Sequence, residues 1–187
     1  MIIDRHKDGR SGTTCLYNEQ SGIHLYWRTV GNQRERSTLK TAILKIGDTQ
    51  GRRTNLKAAM TNWDSWRQEA FKPLATKIKQ EIVKISTKSY GRPDIKWRIN
   101  SMWGASYSNS DSARLHDHYP ATWSCVYYVD VPEESSPLVF PSPDVTIKPW
   151  AGLLVIFPGN ISHLVPVNHS KTPRIVVSAN LYVDKLK

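Results

Sequence analysis

Cysteine is scarce, with Cys15 and Cys125 the only two in 187 residues. Two are too few for a disulfide framework, and no Cys-x-x-Cys pair offers a structural zinc site, so both thiols are expected to stay reduced. Long apolar runs are also missing. No stretch of about 18 such residues exists, and the start of the chain, Met1-Ile2-Ile3-Asp4-Arg5-His6, has no apolar signal region. These absences predict no membrane insertion and no export, and therefore a cytoplasmic protein. The chain likewise lacks a Gly-x-x-x-x-Gly-Lys phosphate loop, a Gly-x-Ser-x-Gly elbow and a dinucleotide-binding glycine fingerprint. Their absence argues against nucleotide hydrolysis, serine esterase chemistry and nicotinamide binding.

What is abundant is positive charge: 26 Lys and Arg against 16 Asp and Glu give a net charge of +10. The basic residues are scattered, the densest groups being Arg34, Arg36 and Lys40, then Arg52, Arg53 and Lys57. No motif interleaves them with aromatics at the spacing of a stacking platform for single strands. The reading is a solvated basic surface; contact with nucleic acid has only the charge in its favour. Hydrophobic residues, 39% of the chain, are spread evenly, which predicts one domain over residues 1–187 around a single core.

Within that domain three regions differ in pattern. Residues 1–60 read as an irregular N-terminal arm, with strand-like pieces at Ile23–Trp27 and Thr41–Ile46 between glycine-marked turns. Residues 61–90 read as helical: Thr61 or Asn62 caps a first helix holding Trp63, Trp66 and Ala70. Pro73 suits the first turn of a second helix, which Gly91 ends. Leu74, Ile78, Ile82 and Ile85 share one face of that second helix. Residues 95–183 read as strands rich in Val, Ile, Tyr and Phe, separated by proline and glycine. With no helices between them, they predict a mainly β fold with flanking helices, in which antiparallel sheets close as a jelly roll.

Four residues stand out chemically. His116 and His118 flank Asp117, and on a strand residues i and i+2 share a face, so both imidazoles can converge on one ion while Asp117 points away. His163 follows an apolar strand and the turn Phe157-Pro158-Gly159-Asn160, and is placed to bring a third imidazole. Three nitrogens on one side of an ion leave positions open for other ligands, as non-haem iron requires. A His-x-His pair by itself also fits coincidence or zinc. Arg174 then supplies a planar cation suited to bidentate binding of a carboxylate, and Ser178, four residues further on, shares its face. His6, His24 and His169 read as ordinary histidines. Tyr127 reads as packing, and Asn100, Trp103, Tyr107 and Trp123 receive no role.

Residues 61–180 resemble the iron(II) and 2-oxoglutarate dependent oxygenases, in particular a family of small bacterial and phage members akin to prolyl hydroxylases. The resemblance lies in Trp63-Asp64-Ser65-Trp66, Trp103-Gly104-Ala105, His116-x-His118-x-Pro120 and Ser124-Cys125-Val126-Tyr127-Tyr128-Val129. It continues in Gly152-x-Leu154-x-Ile156-Phe157-Pro158, His163-x-Val165 and Arg174-Ile175 through Asn180. It implies a double-stranded β-helix, an iron(II) ion on His116, His118 and His163, and 2-oxoglutarate as co-substrate. The distal carboxylate of that co-substrate would be clamped by Arg174, with Tyr128 and Ser178 as hydroxyl partners. If phage-encoded, the protein is expected in the host cytoplasm. The superfamily usually has a carboxylate where His118 stands, so Asp117 is retained as an alternative ligand or as a partner orienting an imidazole.

Two other readings remain open. Gly152 to Asn168 also resembles the later cupin motif, which points to a three-histidine metal dioxygenase that needs no 2-oxoglutarate, although the cupin glutamate after His-x-His is missing. The other is a non-catalytic domain that binds through its basic surface. No residue pattern names the primary substrate or an oligomeric state.

Overall fold

Apolar residues at alternate positions give strands with one face to bury, and here two sheets bury such faces against each other. The computed structural model describes residues 1–5, 14–18, 23–51 and 54–184; His6, Arg52 and Arg53 lie outside the described residues. The larger sheet has seven strands in the order β2 (Thr14–Asn18), β3 (Ile23–Thr29), β11 (Leu153–Pro158), β8 (Trp123–Asp130), β13 (Arg174–Val183), β6 (Trp97–Tyr107) and β5 (Ala59–Met60). The smaller has six: β1 (Ile2–Ile3), β10 (Val145–Ile147), β9 (Leu138–Phe140), β12 (His163–Val165), β7 (Ser112–His116) and β4 (Leu56–Lys57). Among the described strands every pairing is antiparallel except β1 with β10.

From β6 to β13 the chain crosses repeatedly between the sheets, with the β9–β10 hairpin as the one double step. This is the jelly-roll path that the strand spacing predicts. Between the sheets lies a core that includes Leu25, Trp27, Phe140, Val155, Phe157 and Val176. The opposite face of the larger sheet is covered by two helices, α1 (Gln33–Ile46) and α2 (Lys72–Tyr90). Leu39 and Ile43 of α1 and Leu74, Ile78, Ile82 and Ile85 of α2 pack there against Cys125, Tyr127, Ile175, Val177 and Leu181. Among the described residues no helix is long and apolar enough to cross a membrane.

Helix α2 matches its sequence signals, with Pro73 in the first turn and Gly91 in the left-handed conformation (φ 61°) at its end. Three expectations are corrected. Residues 1–60 are not an irregular arm: β3 lies between β2 and β11 in the larger sheet, and Thr41–Ile46 forms the end of α1 rather than a strand. That helix starts at a reciprocal capping box, in which Glu35 N–H donates to Asn32 Oδ1 and Asn32 N–H donates to Glu35 Oε2, each at 3.0 Å. The helix expected from Thr61 reduces to a 3-10 turn, Ser65–Arg67. Here Thr61 N–H donates to Gly104 O, Gly104 N–H returns to Thr61 Oγ1, and Met102 N–H donates to Trp63 O, so the segment is committed to β6. Finally, the β core extends beyond residues 95–183, because strands from residues 1–60 complete both sheets.

Candidate metal centre

Antiparallel register brings the histidines together. β7 and β12 pair so that His116 lies directly opposite His163. A register shift then separates that pair from Val165 opposite Ala113. This bulge turns both Ala113 and His116 into the space between the sheets. The strand ends at His116, so His118 does not reach the cluster by strand alternation. It is carried there by the following turn, whose backbone is tied down by His118 N–H donating to Gly159 O and Ala121 N–H donating to His118 O. Only glycine fits at 159, since a Cβ would stand 2.1 Å from Ala121 O.

The ligand nitrogens of His116, His118 and His163 all lie within 4.8 Å of one another. Their ring centroids are 4.4 Å apart for His116 and His163, and 5.0 Å for each pair that includes His118. His116 Nδ1 sits 2.6 Å from Arg114 O, and His163 Nδ1 sits 3.0 Å from Ile161 O. A carbonyl only accepts, so both Nδ1 atoms carry the proton and both Nε2 atoms keep a lone pair for a metal. Burial, reinforced by the neighbouring imidazoles, pushes His118 down to about 3, and burial with His116 pushes His163 down to about 4. Both are therefore neutral at pH 7, with no proton to release before ligating. Phe157 packs edge-on against His163 and closes one wall.

Arg174 opens β13 and points into the same pocket, almost wholly buried (1% exposed). Its guanidinium lies over the Tyr107 ring at 4.2 Å, within 5.8 Å of the Tyr128 ring, and one terminal nitrogen donates to Ser136 O at 2.8 Å. Among the described residues no carboxylate pairs with it, and its Nε has no acceptor. A buried cation without a counter-charge is costly unless a ligand supplies one, so the pocket suits an anion. The set of donors thus fits both groups: three imidazole nitrogens for a borderline metal such as iron(II), and a planar cation for a carboxylate.

No protein-family model and no curated protein matches the sequence. Solved structures do. A viral collagen prolyl hydroxylase from Paramecium Bursaria Chlorella virus-1, in complex with 2-oxoglutarate, superposes with a TM-score of 0.65 at 15% identity, over 84% of this chain and 96% of that one. A Pseudomonas putida prolyl-4-hydroxylase gives 0.64 at 15% identity over 85% and 93%. The α-ketoglutarate dependent epimerase SnoN of nogalamycin biosynthesis gives 0.65 at 16% identity over 85% and 77%. The chain has the fold of the 2-oxoglutarate dependent iron oxygenases. It is a double-stranded β-helix, as the resemblance implies.

Within this oxygenase fold, the remaining residues singled out by sequence divide into two groups. Tyr128 and Ser178 line the pocket with Arg174, and burial pushes the Tyr128 hydroxyl up to about 12, leaving it a neutral donor. Asp117 does not join the histidine cluster; its side chain is exposed and accepts from Tyr119 N–H at 3.0 Å, which fixes the turn that presents His118. Sequence reasoning missed the support for Arg174. Asn168, fully buried, accepts from Ser136 N–H and donates to Tyr107 O and Ser170 Oγ. It thereby holds both the carbonyl and the strand end against which the guanidinium rests. Tyr107, given no role from sequence, supplies the aromatic face beneath Arg174. A polar residue in a loop before a strand carries no periodic signal, so nothing in the pattern marked Asn168 for this task.

Proposed function

We propose that the protein is a non-haem iron(II) dioxygenase that uses 2-oxoglutarate as co-substrate and hydroxylates a second substrate. The observation that supports this reading most is the convergence, in one pocket, of three imidazoles and a buried, uncompensated arginine. His116, His118 and His163 would hold the ion. Arg174 would bind the distal carboxylate of 2-oxoglutarate, with the Tyr128 and Ser178 hydroxyls as further donors. The apolar walls formed by Leu138, Phe157, Val165 and Val176 exclude water and strengthen each polar contact inside. Iron, when bound, supplies the redox chemistry that couples loss of carbon dioxide from 2-oxoglutarate to oxidation of the second substrate.

Anaerobic addition of iron(II) and then 2-oxoglutarate is expected to produce a visible charge-transfer band, absent in Arg174→Ala and His163→Ala. In air, succinate is expected to accumulate. Iron uptake with neither band nor succinate would refute the proposal. The three-imidazole ligand set also favours a second reading, a cupin-type dioxygenase acting without a keto acid. Oxygen consumption that is independent of 2-oxoglutarate would select it.

A further inference from the structure

Among the described residues, the pocket that holds the histidines is lined by sixteen, none of them acidic. If the iron reading above holds, the ion contributes two positive charges, three neutral imidazoles contribute none and Arg174 contributes one. A 2-oxoglutarate dianion returns two negative charges. One positive charge is left in a largely water-excluded space, where it is worth far more than at the surface. A carboxylate at position 118 would have cancelled it. Neither Asp117 nor Asp111 lines the pocket: Asp117 is exposed to solvent and accepts from Tyr119 N–H, and Asp111 is buried in the turn after β6, at the Tyr107 end of the pocket, where it accepts from Ser108 N–H.

The same pocket is short of acceptors. Trp103, buried on β6 opposite Ser178, lines it with its ring 6.1 Å from that of His118, and its indole N–H has no acceptor among the described residues. A buried donor left unpaired is costly, and this one stands beside the histidine that replaces a negative ligand. We propose that the primary substrate is an anion that delivers a carboxylate or phosphate oxygen to the His118 and Trp103 side of the centre. There it balances the remaining charge and accepts from Trp103 Nε1. The net charge of +10 would draw such substrates toward the chain.

Cobalt(II) provides the test, because its visible spectrum reports ligand changes without turnover. Cobalt-loaded protein saturated with 2-oxoglutarate is titrated with acetate and, separately, with inorganic phosphate; the stronger probe identifies the source of the oxyanion. Either anion is expected to cause a saturable spectral change. Its affinity is expected to fall at least tenfold in His118→Asp, which supplies the missing charge, compared at equal cobalt stoichiometry. Trp103→Phe is expected to weaken the anion severalfold while leaving cobalt and 2-oxoglutarate binding as in the wild type. Equal anion affinity in wild type and His118→Asp, or no response in the wild type, would overturn the proposal. Failure of the wild type to take up cobalt at all would instead remove the metal reading on which it rests, and the two failures are told apart by cobalt stoichiometry.

Discussion

The two faces of the seven-stranded sheet share a backbone and differ in almost everything else. Along β13, Arg174, Val176 and Ser178 face the smaller sheet, while Ile175, Val177, Ala179 and Leu181 face the helices. The helix side is mostly apolar, with Ser86 and the Glu81 carboxylate, paired with Arg28, among its buried polar groups. The other side mixes a hydrophobic core with a buried arginine, three imidazoles and unpaired donors at Trp103 and Arg174. Alternation with period 2 makes this division possible, since one strand can serve a packing layer and a site at once. The difference teaches that burial alone does not identify what a residue contributes. Arg174 and Leu181 are equally hidden from water, yet one should matter for ligand binding and the other for folding.

The largest expected effect separates those two residues. Arg174→Met is expected to weaken 2-oxoglutarate binding to the metal-loaded protein by at least about 100-fold, within the range of about 2–5 kcal/mol for removing a buried charged partner. Thermal stability of the metal-free protein should stay level or rise, because an apolar side chain replaces an uncompensated charge. Calorimetric titration and a melting curve measure both. A melting temperature that drops as for a core truncation would place Arg174 with the packing residues and erase the contrast.

Leu181→Ala tests the other face. Leu181 is fully buried against the helices, and the truncation is expected to cost about 2–5 kcal/mol of stability. Affinity for 2-oxoglutarate, measured where the variant is still folded, should remain within about twofold of the wild type on the view that distant sites act independently. A large loss of affinity at unchanged stability would show that the helix layer reaches the site.

Which features were legible in the sequence follows the same division. The strands of the site region were readable because β-branched and aromatic residues alternate there and proline or glycine separates them, as at Leu138–Phe140 and Leu153–Pro158. His116, His163 and Arg174 could be singled out because imidazole and guanidinium are chemically unusual on apolar strands. The route by which His118 arrives was not readable: a strand was expected to carry it, whereas a turn clamped to Gly159 does so. Helix α1 was missed because only Leu39 and Ile43 are buried in its 14 residues. Its apolar end, Ala42 to Ile46, has the look of a strand when read without the Asn32 and Glu35 cap. The role of Asn168 depends on contacts to residues 107 and 136 that no local pattern encodes.

Acid provides a way to unbalance the two faces without mutation. His118 and His163 have folded-state values of about 3 and 4, below the value of about 6.5 for an unfolded chain. The unfolded state therefore binds protons first as pH falls, so stability rises with pH across this interval. The stabilisation is fully present above about pH 6.5 and is lost progressively as pH falls toward the folded values near 4 and 3. Melting of the metal-free protein between pH 7 and 4 should show this decline, and His118→Asn/His163→Asn should flatten it. A double variant with the same acid profile would assign the sensitivity to carboxylates elsewhere.

The smallest expected effect comes from Gly104, which lies between Trp103 and Ala105 on β6 but on the side facing α1. A Cβ built there would stand 2.5 Å from Ile43 Cγ1 and 2.8 Å from Ile43 Cδ1. Gly104→Ala should therefore force helix α1 or the Ile43 side chain to shift, at a cost of about 1–3 kcal/mol typical of overpacking. Ile43 is β-branched and has few rotamers with which to yield. In an Ile43→Ala background the obstructing atoms are gone, and the same glycine substitution should cost markedly less. The difference between the two costs is the coupling energy, measurable by denaturant melts of the four proteins of the cycle. A coupling near zero would mean that the backbone relaxes freely, and that the helix side of the sheet is not the tightly packed layer its burial suggests. A coupling accompanied by lost 2-oxoglutarate binding would instead mean that α1 positions Trp103 through the intervening glycine, joining the two faces that the strand alternation otherwise keeps apart.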